Sequence, residues 1–136
     1  MLQLREKVFN NLLSIIKEMG IDTDELTLDI PVDAVHGDFS CNIAMQISSV
    51  LRRNPVDIAN EIVSKYPEDK DIAKVEVVNP GFINFFFSEG YLLNMLKSIN
   101  TQKENYFTLD FYNGKKFVIE YTDPNPFKIL HIGHLY

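Results

Sequence analysis

The sequence predicts an α+β domain to about residue 105, two or three helices packed on a small antiparallel sheet. From about residue 106 it predicts the opening strand and turn of an α/β nucleotide-binding domain. Three observations carry this reading. Apolar residues recur every three or four positions from Leu2 to Met19 and again through 41–53 and 55–67, which is the period of helices with one buried face. Two β-prone runs, Val75–Val78 and Phe82–Phe87, flank the turn triplet Asn79-Pro80-Gly81 and predict a hairpin. A last apolar run, Phe117-Val118-Ile119-Glu120-Tyr121, meets a Pro-Asn-Pro turn and then His131-Ile132-Gly133-His134.

Taken in order, Leu4, Val8, Leu12, Ile15 or Ile16 and Met19 form the inner stripe of a first helix that Gly20 ends. Leu26-Thr27-Leu28-Asp29-Ile30 alternates, so it reads as a strand with one face buried, ended by Pro31. Residues 36–40 read as a turn into a second helix, Cys41 to Arg53, with Ile43, Ala44, Ile47, Val50 and Leu51 inward. Asn54 is placed to cap and Pro55 to open a third helix, with Val56, Ala59, Ile62 and Val63 inward. His36 beside Asp38 is read as a turn histidine without a catalytic role.

In the hairpin, period two sets Ile83, Phe85 and Phe87 on one face and Phe82, Asn84 and Phe86 on the other. If the first face packs on the helices, the second offers an aromatic ring and neighbouring amides. That is how proteins stack and read an unpaired RNA base. Ser88 then caps a helix through Tyr91, Leu92, Met95, Leu96 and Ile99, and the polar stretch 100–105 marks the domain boundary. Asn113-Gly114 is a turn signal, and Lys115-Lys116 reads as a solvated basic edge.

Composition sets limits. With 13 basic and 19 acidic residues, net charge −6, the chain has no overall electrostatic grip on nucleic acid, so any RNA contact is local and DNA is not an expected partner. The single cysteine, Cys41, has no intramolecular disulfide partner, and no signal peptide or membrane-length apolar span is expected. A reducing cytoplasm fits best.

The tail carries the chemistry. The strand ends near Thr122, because Pro124 and Pro126 each remove a backbone donor and hold the preceding residue away from helical angles. A helix starting in or after the tetrad directs its free N–H groups at a phosphate. His131 and His134, three apart, share one face and reach one anionic group, while Gly133 admits a phosphate or flat base to the backbone. Two such donors accelerate nucleotidyl transfer by strengthening their bonds as charge builds on the α-phosphate. In isolation the pair also reads as two solvated or structural histidines, or as half of a metal site, but no compact third and fourth ligands follow from the spacing, and no metal is assigned.

The fifteen residues from Glu120 to His134 closely resemble the signature of class I arginyl-tRNA synthetases. Residues 36–42 and 75–86 resemble that family's N-terminal additional domain, so the likeness covers nearly the whole chain. The resemblance implies an arginine-tRNA ligase that activates arginine with ATP, accompanied by Mg2+, and transfers it to arginine tRNA. It implies that His131 and His134 hold ATP phosphates and stabilise the transition state, that Asn125 takes the substrate ammonium and that Glu120 helps fix the substrate. It implies that Lys128 supplies a phosphate-neutralising ammonium, and that Asn79, Phe82 and Asn84 contact a D-loop base of the tRNA. Asp123 departs from the serine pair of many members and adds a negative charge beside the substrate pocket.

The expected domains are therefore 1–105, the additional domain that contacts the tRNA elbow, and 106–136, an incomplete start of a Rossmann-type catalytic domain. Two residues after His134 supply no further strands or crossovers. The expected chain is thus the N-terminal part of a longer enzyme, inactive alone, with Phe117–Tyr121 poorly ordered or abnormally paired. The alternative is a stand-alone tRNA-binding module or inactive relative.

Overall fold

The computed structural model describes residues 2–23, 25–107 and 113–119 of the chain. It divides into two units, Met1–Lys103 and Glu104–Tyr136. The N-terminal unit runs α1 (Leu2–Glu18), a 3-10 turn (Ala34–His36), β1 (Phe39–Cys41), α2 (Ile43–Leu51), α3 (Pro55–Lys65), β2 (Ile72–Val78), β3 (Phe82–Phe87) and α4 (Glu89–Gln102).

The strands form one antiparallel sheet in the order β1-β3-β2. Tight turns explain why β3 lies in the middle. Asn79-Pro80-Gly81 folds it back on β2, while the connection through α2 and α3 leaves β1 to pair on its other side. Ile83, Phe85 and Phe87 face the helices, and all three join Phe39 and Cys41 of β1 in the core. The helical side of that core comes from Leu4, Val8, Leu12, Ile15 and Ile16 of α1, from Ile43, Ala44 and Ile47 of α2, and from Ile58, Ala59 and Ile62 of α3. Each valine, leucine and isoleucine among them, fully buried, stabilises the fold by roughly 1.5–3 kcal/mol. Phe39 packs edge-on against Phe87, with ring centroids 5.0 Å apart, and Phe87 against Tyr91 at 5.1 Å.

Local signals end the helices where the sequence places them. The Asn54 side chain accepts from the Val56 N–H at 2.8 Å with Pro55 next in line, and Ser88 accepts from the Tyr91 N–H at 3.2 Å. The Gly20 N–H donates to the Lys17 carbonyl and closes α1.

Several expectations change. The segment 26–30 buries Leu26 and Leu28, as its alternation implies, but exposes Ile30 of the same phase, and it makes only an isolated bridge between Asp29 and Ser40. Its partner β1 is three residues long and follows the 3-10 turn at once, so no longer ladder forms. Residues 39–41, read as turn and helix start, are that strand, and α2 begins only at Ile43; Val50 lies on its outer side. Residues 100–102 continue α4, and a 3-10 turn follows at Lys103–Phe107. Helix α4 itself buries no residue: Leu92, Leu93 and Leu96 are exposed, while Tyr91 packs against the core.

In the second unit Asn113 and Gly114 form the expected turn, and residues 115–119 are exposed and carry no strand. The rest of the predicted nucleotide strand and the tetrad lie outside the described residues.

One ion pair ties α1 to the connection before β2. Lys7 Nζ lies 2.7 Å from Asp69 Oδ2, whose side chain is 2% exposed, and Asp69 Oδ1 accepts from the Asp71 N–H at 3.0 Å. Burial opposes ionisation of Asp69, but the Lys7 ammonium and the Asp71 N–H together hold its carboxyl below the usual value of 3.8. A depressed carboxyl contributes stability above its unfolded pKa and loses it as pH falls through the folded value. Asp69→Asn keeps the Oδ1 acceptor and removes the charge. Melting temperatures measured from pH 7 downward should fall less steeply below about pH 4 in this variant than in the parent chain; equal acid slopes would show that the pair contributes nothing.

Candidate nucleic-acid interface

The sheet face opposite the helices is built by the second phase of the β3 alternation. Phe82 pairs with Val78, Asn84 pairs with Glu76 on one side and Ser40 on the other, and Phe86 pairs with Lys74. At the turn end of this face a cleft of ≈ 580 Å³ opens. Asn79, Phe82 and Asn84, the three residues named from the hairpin, all line it, as do Ser40, Asn42 and His36. Asp29 to Asp33 form the facing wall.

Each side chain has a distinct position. Phe82 is 37% exposed, so an aromatic ring is available at the cleft. Asn84 is a buried polar residue at 2% exposure, and its Oδ1 accepts from Ser40 Oγ–H at 2.7 Å. That bond ties the amide to β1, a restraint which a free surface amide lacks. Ile30 and Val32 are exposed, Val32 fully, and give the facing wall an apolar rim. His36 is exposed at the cleft, and its N–H donates to the Asp33 carbonyl, in keeping with a turn histidine. Asp33 Oδ1 accepts from the Val35 N–H at 3.0 Å and caps that turn.

Two close approaches hold these walls in place. Gly37, at φ +84°, sits so near β3 that a Cβ there would lie 2.6 Å from the Phe85 carbonyl oxygen. Asp38 can therefore donate its N–H to that carbonyl at 2.8 Å and accept the Phe87 N–H on its carboxylate at 2.7 Å. Gly81, at φ +140°, lets the hairpin turn touch α3, since a Cβ there would lie 2.8 Å from Pro55.

The chemistry follows from the lining. Asp29 and Asp33 are acidic, and among the described residues no lysine or arginine lines the cleft. Such a site repels a phosphate and suits a flat, neutral group that stacks on an aromatic ring and hydrogen-bonds to amides, which describes a nucleobase. Among the described residues no group of three or more His, Cys, Asp and Glu is arranged to hold a metal, and no helix is long and apolar enough to cross a membrane. Cys41 is buried beneath the sheet, and burial pushes its thiol up to about 11 despite the bond from the Ile43 N–H.

The sequence reading missed Ser40, Asn42 and the facing wall. Ser40 was legible as the outward residue of an alternating Phe-Ser-Cys triplet; the wall depends on tertiary packing. The proposed arginine and ATP residues Glu120, Asp123, Asn125, Lys128, His131, Gly133 and His134 lie outside the described residues.

Residues 3–87 match the sequence profile of the family described as the arginyl tRNA synthetase N terminal domain. The arginine–tRNA ligase of Shouchella clausii is 37% identical over 133 residues, which cover 97% of this chain and 24% of that protein. That of Acetivibrio thermocellus is 38% identical over 136 residues, with 97% and 24% covered. Among solved structures, the arginyl-tRNA synthetase of Thermus thermophilus superposes with a TM-score of 0.61 at 22% identity, covering 97% of this chain and 21% of that one. The fold is thus that of an accessory domain of an aminoacyl-tRNA synthetase. The chain belongs to the arginyl-tRNA synthetase N-terminal domain family, and it spans about a quarter of the length of the curated relatives it matches.

The Ser40–Asn84 bond gives a local prediction. Ser40→Ala leaves Asn84 Oδ1 buried without this donor, which costs about 1–3 kcal/mol. Chemical denaturation should report a loss in that range, and a change below about 0.3 kcal/mol would mean the amide turns to another partner at no cost.

Proposed function

We propose that this chain is the N-terminal part of an arginine–tRNA ligase, and that its cleft receives an unpaired base of the tRNA D-loop. Phe82 stacks on the base, and the amides of Asn79 and Asn84 read its edge. The observation that carries this reading is an exposed ring held beside a fixed amide in a cleft lined by no lysine or arginine among the described residues, on the sheet face the helices leave open. A stacked ring and two amides discriminate bases without a net electrostatic attraction, and this suits a chain of net charge −6.

In the same reading residues 1–105 are the tRNA-contacting domain and 106–136 begin a Rossmann-type catalytic domain. Its strand and turn bring His131, Gly133 and His134 to the ATP phosphates, with Lys128 adding an ammonium. Glu120, Asp123 and Asn125 border the arginine, and Mg2+ accompanies the nucleotide. The ligase acts in the cytoplasm, where a lone buried thiol stays reduced.

Fluorescence anisotropy with an arginine tRNA transcript, a D-loop variant of it and an unrelated tRNA tests the base site. Stacking contributes about 1–3 kcal/mol per base, so Phe82→Ala should weaken binding to the first by about five- to 150-fold and erase its preference over the second. Because Phe82 is partly exposed, the melting temperature should change little. An unchanged preference in Phe82→Ala would refute the base site. The catalytic assignment makes a separate prediction: the 136-residue chain, a quarter of the length of its relatives, should give no arginine-dependent ATP–pyrophosphate exchange. Exchange by this chain alone would overturn that assignment.

A further inference from the structure

A base held in the cleft leaves its flanking phosphates unaccounted for. Among the described residues the cleft presents Asp29 and Asp33 and no lysine or arginine to neutralise those phosphates, so a cation is needed where an RNA strand leaves it. The register of the sheet identifies one. Lys74 pairs with Phe86, and Phe86 stands two residues along β3 from Asn84 on the same outward face. At about 3.4 Å per residue the step is roughly 7 Å, about one nucleotide's backbone.

The Lys74 side chain is already lifted off the sheet on that face. Its ammonium lies 5.2 Å from the centroid of the Phe86 ring and 2.7 Å from Glu76 Oε2. Glu76 is the register partner of Asn84, so the ammonium is drawn back toward the cleft. Both partners are well exposed, at 57% and 41%, and exposed pairs of this kind are weak. A phosphate can take the ammonium from Glu76 at little cost, while the Phe86 ring keeps the stem from collapsing onto the strand.

We propose that Lys74 is a backbone-contacting cation of this interface, taking a phosphate about one nucleotide along from the base edge that Asn84 reads, with Phe86 and Glu76 holding it in position when the RNA is absent. The inference rests on the base-binding reading. Lys74 and Phe82 then divide the work: one supplies salt-dependent, sequence-independent affinity and the other supplies discrimination.

The test is the same anisotropy titration of the 136-residue chain, run over a series of salt concentrations. Lys74→Gln should weaken binding to the arginine tRNA and to its D-loop variant by the same factor, leaving their ratio unchanged. It should also reduce the slope of log K against log salt by about 0.7, the increment for one phosphate on a single strand. Lys74→Arg should keep the slope, and Glu76→Gln should tighten binding to both RNAs. Phe82→Ala should do the converse, losing the ratio and keeping the slope. If Phe82→Ala erases the preference while Lys74→Gln leaves the slope unchanged, the base site stands and the role of Lys74 is refuted. If Phe82→Ala leaves the preference intact, the base site fails and the inference falls with it.

Discussion

The structure depends on β3 being hydrogen-bonded on both sides. A central strand has no unpaired backbone edge, so its side chains are left to decide what each face does, and in β3 the two phases of the alternation differ sharply. Ile83, Phe85 and Phe87 anchor three helices. Phe82, Asn84 and Phe86 look the other way, and an amide buried in that position is tolerable only because β1 brings Ser40 alongside to hydrogen-bond it. A three-residue strand thus has a role out of proportion to its length. Without it Asn84 would be an unsatisfied group on a sheet edge.

The loops are held to that strand by close backbone contact. Gly37 and Gly81 each stand where a Cβ would collide with a neighbour, the Phe85 carbonyl in one case and Pro55 in the other. The first contact aligns Asp38 with two backbone groups of β3 and starts the chain into β1; the second presses the turn that carries Asn79 and Phe82 against α3. The cleft is therefore framed by segments whose positions follow from core packing. Preorganisation of that kind lowers the conformational cost of ordering a ligand.

Much of this was legible in the sequence, for reasons that can be stated residue by residue. The helices follow from a 3.6-residue period together with Asn54, Pro55 and Ser88, whose capping chemistry is local and does not wait on tertiary structure. The hairpin follows from a turn triplet between two β-prone runs, and its alternation placed Ile83, Phe85 and Phe87 inside as well as Asn84 and Phe82 on the other face. What failed depends on partners far along the chain. Residues 26–30 have the alternation of a strand, yet a strand needs a neighbour of its own length, and β1 is too short. By contrast, α4 forms where Ser88 and the apolar spacing place it, and its exposed leucines lie outside what the period predicts. Of the cleft, the hairpin half was readable and the facing wall was not, because 29–33 reaches it through folding alone.

The distribution of charge constrains what the domain can do by itself. Several of its cations are committed to carboxylates: Lys7 to Asp69, Arg53 and Lys65 to Glu61, and Lys74 to Glu76. With a net charge of −6 as well, the surface has no broad positive field to draw a polyanion in, so association cannot be driven by steering over the whole domain. In the proposed role, recognition of RNA is therefore short-ranged, made of stacking and hydrogen bonds that act only on contact, and it gives up affinity to keep selectivity, since a strong uniform attraction would hold every polyanion alike.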